Sequence, residues 1–289
     1  MAAMLPVFLA GCTRLKPQFN RACAAASRVP RGDEAAMRAF LQTYFEAQYL
    51  GTDMVSGYYE LSLRGSRVPA PGFSVPVLRP PANPQRWSKS EIEAGRLEGQ
   101  GLEILYLRSR ADLFFLHLQG SGRVRLTDGS EVRLGTIASN NRRQVSTEQL
   151  FGDAPIPGRD LSIPGIRAWL DANPAGEARL ERDQSYVFFR ETPELSPYFG
   201  PLGRFGLPLV PLRSAAVDDR VVPLGSLIWL ETRASADQQP LPHLGVAHDT
   251  GDQIRGKARV DLYFGWGTEA EQVGGRQWER GQVWVLVPR

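Results

Sequence analysis

The sequence predicts a mainly β protein, a barrel or sandwich with few helices. Short runs of alternating or continuous apolar residues recur along it, among them "LEILYL", "RVRLTDGSEVRLG", "QSYVFFRE", "SLIWLE", "RVDLYF" and "VWVLV". Glycine and proline, 29 and 22 of the 289 residues, punctuate these runs closely and leave little room for long helices. The regular helix–strand alternation of a parallel α/β sheet is missing, which favours a barrel or sandwich.

In chain order, "MAAMLPVFLAGC" is a short apolar run ending at Cys12, the pattern of a lipoprotein signal with an acylated cysteine, although no Lys or Arg precedes it. Residues 13–31, with the run Ala24-Ala25-Ala26-Ser27, read as a tether. Cys12 and Cys23 are the only cysteines and both precede the first periodic element. The folded part is therefore expected to have neither a disulfide framework nor a thiolate metal site. From Asp33, a plausible cap, Met37, Phe40, Leu41, Tyr44, Phe45 and Tyr49 recur at helical spacing. A proline-dense stretch, "RVPAPGFSVPVLRPPANP", then demands extended edges and turns.

The middle reads as a small β-domain, "LEILYL" and "DLFFLHLQ" as strands and "RVRLTDGSEVRLG" as a hairpin turning at Thr127-Asp128-Gly129. "SIPGIRAWLDANP" reads as a helix started near Pro164 and stopped by Asn173-Pro174. Strands resume afterwards, interrupted by one helix in "TEAEQVGGRQWERG". No stretch is long and apolar enough to cross a membrane.

The net charge of +3 comes almost wholly from arginine, since Lys16, Lys89 and Lys257 are the only lysines. Arginine suits carboxylate and ring partners, so an acidic or sugar-rich partner is favoured. Nucleic acid is not expected, because no long Lys/Arg block or recognition motif accompanies the charge.

Three acids stand out. In "ARVDLYFG" strand alternation sets Val260, Leu262 and Phe264 on one face and Arg259, Asp261 and Tyr263 on the other. Lining a cleft with Tyr263 and Trp266, Asp261 would be partly desolvated and suited to donate a proton; a solvated strand aspartate is the plainer alternative. Asp249 in "VAHDTGD" is placed to cap its own turn or to pair with Asp261 as two carboxylates acting on a glycosidic bond. Asp218 precedes a Pro-Leu-Gly turn that it would hydrogen-bond. In "HLQGSGRVRL" His117, Gln119 and Ser121 are joined through two glycines, which bring backbone amides close to a ligand or serve a bulge or turn. Tyr58, Tyr59, Glu60 and Arg64 combine aromatic faces with polar groups, as sugar sites do and as barrel strands do. A dinucleotide fingerprint over residues 265–270 fails because the chain ends too soon for the rest of that fold. His117, His243 and His248 form no zinc motif, and neither a GxSxG elbow nor a P-loop occurs.

"SGYYELSLRGSR", "DLFFLHLQGSGRVRL", "SYVFFRE", "GPLGRFGLPLVPLRSAAVDDRVVPLG" and "HDTGDQIRGKARVDLYFGWG" together resemble the membrane-bound lytic murein transglycosylase A family, from about Phe40 to Val287. The last two resemble its C-terminal module of three aspartates, which fall on Asp218, Asp249 and Asp261. The resemblance implies a double-psi β-barrel from residues 32–60 and 187–289, with the three-aspartate module from about 200. It implies an inserted β-barrel-like domain over residues 61–186, with a groove for the glycan strand between the two. It implies non-hydrolytic cleavage of the β-1,4 bond between N-acetylmuramic acid and N-acetylglucosamine in peptidoglycan, with Asp261 the catalytic acid and Asp249 its partner. Tyr58, Glu60, Gln119, Ser121, Asp218 and Tyr263 become substrate-binding candidates. No metal or cofactor is implied, and the setting is a monomer in the periplasm, held at the outer membrane by a lipid on Cys12. Asp252, where the family usually has glycine, and Leu61, where it has proline, depart from the pattern. A hydrolytic β-glycanase and a non-catalytic, expansin-like glycan-binding barrel are the alternatives.

Overall fold

The structure, a computed structural model, describes residues 1–192, 196, 198–251 and 253–289. Its strands are β1 (Phe45–Ser66), β2 (Val75–Leu78), β3 (Glu103–Leu107), β4 (Ser121–Leu126), β5 (Glu131–Ser139), β6 (Val187–Glu191), β7 (Ser214–Val217), β8 (Leu227–Arg233), β9 (Pro240–Asp249), β10 (Val260–Trp266) and β11 (Trp278–Pro288). Its α-helices are α1 (Leu5–Gly11), α2 (Asn20–Ala26), α3 (Glu34–Tyr44), α4 (Lys89–Glu93), α5 (Arg110–Gln119), α6 (Thr147–Phe151), α7 (Ile163–Ala172) and α8 (Gly267–Gly274). The chain forms two compact units, one of residues 1–59, 197–265 and 272–289, the other of residues 60–196 and 266–271.

The first unit is a closed six-stranded barrel in the order β1-β11-β8-β9-β7-β10, with β10 returning to β1. β7 and β9 run parallel, whereas β1–β11, β11–β8, β8–β9 and β10–β7 are antiparallel. Alternation fills the interior with Val55, Ala215, Val217, Ile228, Leu230, Ala247, Val260, Leu262, Val283 and Val285. The opposite face of β8 and β9 gives Leu227, Leu244 and Val246 to a second core shared with the N-terminal helices.

That second core corrects the expectation for residues 1–31. They are packed structure rather than a tether: Met4, Leu5 and Phe8 are almost wholly buried. Phe8 also meets Phe40 and Phe45 at 6.1 and 5.8 Å between ring centres. Apolar residues at this density need a partner, and here the partner is α3 and the barrel wall. Cys12 and Cys23 form a disulfide, with 5.8 Å between their Cα atoms, inside the folded unit. A sulfur in that bond cannot also carry a thioether-linked lipid, so the disulfide-bonded form departs from the expectation for Cys12.

α3 starts as expected, with Asp33 accepting the Ala36 N–H at 2.9 Å. Phe45 and Tyr49 leave the helical period because β1 begins at Phe45, paired with Pro288 near the chain's end. Likewise α8 stops at Gly274, and Trp278 opens β11.

The second unit holds a sheet in the order β2-β3-β1-β4-β5-β6, using the last part of β1. β4 lies parallel to β1, from Leu61 opposite Gly122 to Gly65 opposite Leu126, and the expected β4–β5 hairpin is present. β6 pairs with β5, so residues 187–191 belong here and not with the barrel. "DLFFLHLQ" is the helix α5, not a strand. Ser109 caps it, accepting the Asp112 N–H at 3.1 Å, and Gly120 ends it in the left-handed region at φ 71°. Leu113, Phe114, Phe115, Leu116 and His117 are all buried, and a run buried on every side carries no period that separates helix from strand. The two glycines serve packing: Gly120 is the cap, and a Cβ on Gly122 would stand 2.8 Å from Leu116 and 3.3 Å from the Leu61 carbonyl.

Glu60, wholly buried, anchors this unit. Arg123 Nε donates to it at 2.8 Å and Arg133 Nη2 to both its oxygens at 3.1 Å. Arg123 in turn lies 4.0 Å over the Trp266 ring, and Arg133 donates to the Ser196 carbonyl at 3.0 Å. Removing the central anion would leave the buried Arg133 guanidinium without a carboxylate and Arg123 with only the more distant Glu131 at 3.7 Å, a loss of about 3–5 kcal/mol for broken buried pairs. Glu60→Gln is therefore expected to lower unfolding free energy by about that amount in guanidinium titration; an unchanged midpoint and slope would contradict the arrangement.

Candidate active site

Two carboxylates reach the same row of the barrel wall from opposite sides of β7. Asp261 on β10 is opposite Ala216, and Asp249 on β9 is opposite the same residue from the other side. Two strand spacings put their Cα atoms roughly 10 Å apart, on either side of Ala216. The adjacent row, Leu262–Ala215–Ala247, belongs to the barrel interior, so the aspartate row lies on the outer face. A bulge in β9 makes the match: the register passes from Ala215/Ala247 to Ala216/Asp249, skipping His248.

Asp261 is half-buried, and burial raises its pKa above the ordinary aspartate value, against the opposing pull of Arg259 and of a hydrogen bond. That bond comes from Ser56 Oγ, 2.5 Å from Oδ1. Asp249 is raised in the same direction, again chiefly by burial. Its carboxylate, however, accepts the Arg204 backbone N–H at 2.9 Å and the Tyr58 hydroxyl at 3.2 Å, and the Thr250 backbone N–H also favours its anion. Burial and the two carboxylates hold the Tyr58 hydroxyl well above its usual pKa, so it remains a donor. The Tyr58 ring contacts the fully buried Tyr263 at 5.3 Å. Of the two carboxylates, Asp249 has the environment better suited to an anion, and Asp261 the one better suited to a neutral acid.

Thus Tyr58, Tyr263, Asp249 and Asp261 come together in one unit. Asp218 lies apart from this cluster. Arg220 donates to both its oxygens at 2.8 and 2.7 Å, the Gly256 N–H adds a bond at 3.0 Å, and these hold its pKa far below the usual range. It is an ionised loop anchor, consistent with the turn expected there. Glu60, Gln119 and Ser121 belong to the second unit, where Glu60 has both oxygens engaged by arginines. Gln119 is half-buried at the end of α5, and Ser121 is buried at the start of β4. Asp252 lies outside the described residues.

Sequence reasoning missed Ser56 and the Arg204 amide. Ser56 was detectable, since a residue two before Tyr58 on one strand shares its face; a backbone donor leaves no trace in residue identity. Among the described residues no group of three or more His, Cys, Asp or Glu is placed to hold a metal ion, and no helix is long and apolar enough to cross a membrane.

Residues 54–190 match the MltA specific insert domain, and residues 213–287 match the 3D domain. Membrane-bound lytic murein transglycosylase A of Escherichia coli K12 is 30% identical over 269 residues, 88% of this chain and 72% of that one. The Vibrio cholerae protein of the same name is 30% identical over 249 residues, 82% of this chain and 66% of that one, so the chain spans slightly less than two thirds of its length. Among solved structures, MltA from Neisseria gonorrhoeae superposes with a TM-score of 0.84 at 27% identity, covering 99% of this chain and 88% of that one. Escherichia coli MltA with bound chitohexaose gives 0.81 at 25% identity, covering 99% and 89%. With this extent of shared sequence and fold, the chain belongs to the membrane-bound lytic murein transglycosylase A family.

Proposed function

We propose that this protein is a lytic transglycosylase that cleaves the β-1,4 bond between N-acetylmuramic acid and N-acetylglucosamine in peptidoglycan, leaving a 1,6-anhydromuramoyl end. The observation that carries the reading is a half-buried Asp261, raised in pKa and held by Ser56, on one row with Asp249 in a chain of this family. Asp261 begins neutral and gives its proton to the glycosidic oxygen as the bond to the anomeric carbon breaks. As a carboxylate it then takes the proton of the muramoyl C6 hydroxyl, whose oxygen attacks that carbon and closes the anhydro ring. The acid is regenerated and no water is consumed. The attacking hydroxyl is already tethered to the reacting sugar, which is worth a large effective concentration. Asp249, held by donors from Arg204 and Tyr58, would as a carboxylate offset positive charge developing on the sugar.

Tyr58, Gln119 and Ser121 are the proposed sugar contacts, and Tyr263 backs the Tyr58 ring. Glu60 and Asp218 act in this reading through the scaffold. The chitohexaose held by the Escherichia coli relative supports a chain of β-linked amino sugars as ligand. The double-psi connectivity is likewise part of the proposal, supported by six-strand closure and the one parallel pair. The Cys12–Cys23 bond supports an oxidising compartment, hence the periplasm. Attachment to the outer membrane through a lipid on Cys12 would require that bond to be open. Each chain carries both aspartates, as a monomeric enzyme needs.

Sacculi treated with the wild type should give muropeptides lighter by one water than hydrolytic products in mass spectra, and Asp261→Asn should give none. Reducing ends would instead identify a hydrolase, and binding without cleavage a glycan-binding barrel. Ser56→Ala removes a bond that favours the carboxylate, so the acid's pKa should rise further. The alkaline limb of the kcat/KM–pH profile, where the proton is lost, should then move to higher pH; a shift to lower pH would contradict the assigned role.

The buried acid also costs stability. Its folded pKa lies above the ordinary 3.8, so the folded state holds the proton longer, and stability falls as pH rises from about 3.8 to the folded value. Asp261→Asn has no charge to bury. Its melting temperature relative to wild type should climb across that window and plateau above it; an equal difference at all pH values would exclude the linkage.

A further inference from the structure

His248 is the extra residue in the β9 bulge and has no opposite number on β7. On β9, Val246 packs in the outer core and Ala247 in the interior. Unbroken alternation would send His248 outward and Asp249 inward, among the valines and leucines of the barrel interior. The bulge keeps Asp249 on the outer row with Asp261.

The bulged residue is held on several sides. His248 is 1% exposed, and Phe205 stacks on its ring at 5.6 Å with 11° between planes. Its Nδ1 lies 2.9 Å from Ser214 Oγ. Ser214 Oγ also accepts the Val210 N–H at 2.9 Å, which fixes the hydroxyl beside the ring. Burial lowers the pKa of the imidazole to about 4, so the ring is neutral near pH 7. Two successive amides complete the clamp: Arg204 N–H donates to the Asp249 carboxylate and Phe205 N–H to the His248 carbonyl, both at 2.9 Å.

We infer that His248 is a positioning residue: locked by Ser214 and Phe205, it sets the bulge that aims the Asp249 carboxylate to the side of Asp261. Its effect on turnover rests on the proposed reaction, in which Asp249 assists Asp261. His248→Phe keeps a ring against Phe205 but removes the Nδ1 partner of Ser214; His248→Asn restores a polar group able to donate or accept near that place; Ser214→Ala removes the hydroxyl.

On sacculi, His248→Phe and Ser214→Ala should lower kcat by on the order of 10- to 100-fold, with KM held within about twofold and His248→Asn recovering part of the loss. In an Asp249→Asn background His248→Phe should add almost nothing, whereas independent effects would multiply and overturn the inference. Carbon-13 titration of the Asp249 carboxyl, flanked by Tyr58, the Arg204 amide and Asp261, gives a readout that needs no turnover. Its midpoint should move in His248→Phe and return toward wild type in His248→Asn. An unmoved midpoint in a folded His248→Phe overturns the positioning role, whatever the enzyme does. A moved midpoint in a protein whose wild type cleaves no glycan keeps that role and removes the reaction. If His248→Phe does not fold, Ser214→Ala, which deletes one hydroxyl oxygen, decides by the same two measurements.

Discussion

The site depends on the register of a very short strand. β7 has four residues, and its third, Ala216, fixes the level of Asp261 on one neighbour and Asp249 on the other. A shift of one residue on either side would turn a carboxylate from the outer face to a hydrocarbon interior. The packing of Ala215 and Val217 inside the barrel penalises that shift, so the core that stabilises the barrel also sets the geometry of its acids. Alanine at position 216 is part of the same constraint, because a larger side chain there would stand between the two carboxylates.

The two acids obtain different environments from similar means. Both are raised by burial, but Asp249 accepts an amide and a phenol while Asp261 accepts one hydroxyl. A backbone N–H is a donor that cannot be removed by side-chain substitution, which makes the Arg204 contact a durable part of the Asp249 environment. Elsewhere charge is used structurally: Asp218 and Glu60 are saturated by arginines, and neither has an oxygen without a donor. Glu60 and Asp218 are thus neutralised by guanidinium groups, whereas the hydrogen bonds of Asp249 and Asp261 come from uncharged donors.

Much of this was legible in the sequence. The strands around Asp249 and Asp261 follow from alternation, and Asp33 and Pro164 announce helices, the first as a short polar cap and the second as a proline of the first turn. The function became legible through motifs spread over the chain, not through charge or composition. What failed did so for physical reasons. The α5 segment is apolar on all sides, so its period is hidden, and the first 31 residues owe their order to partners far along the chain. The His248 bulge is invisible to alternation because it is the place where alternation is interrupted.

The long pairing of β1 with β11, Phe45 against Pro288 through Ser56 against Trp278, constrains the order in which the molecule can be assembled. On a ribosome or a translocon the second unit is almost complete once residue 196 has emerged, whereas the barrel wall stays open until the final strand arrives. Until then β1 exposes an edge able to pair with other chains. Loop closure on this scale is slow relative to local folding, so the acid-bearing barrel should mature last, and loss of only the last strand would remove its closure while leaving the inserted unit's sheet intact.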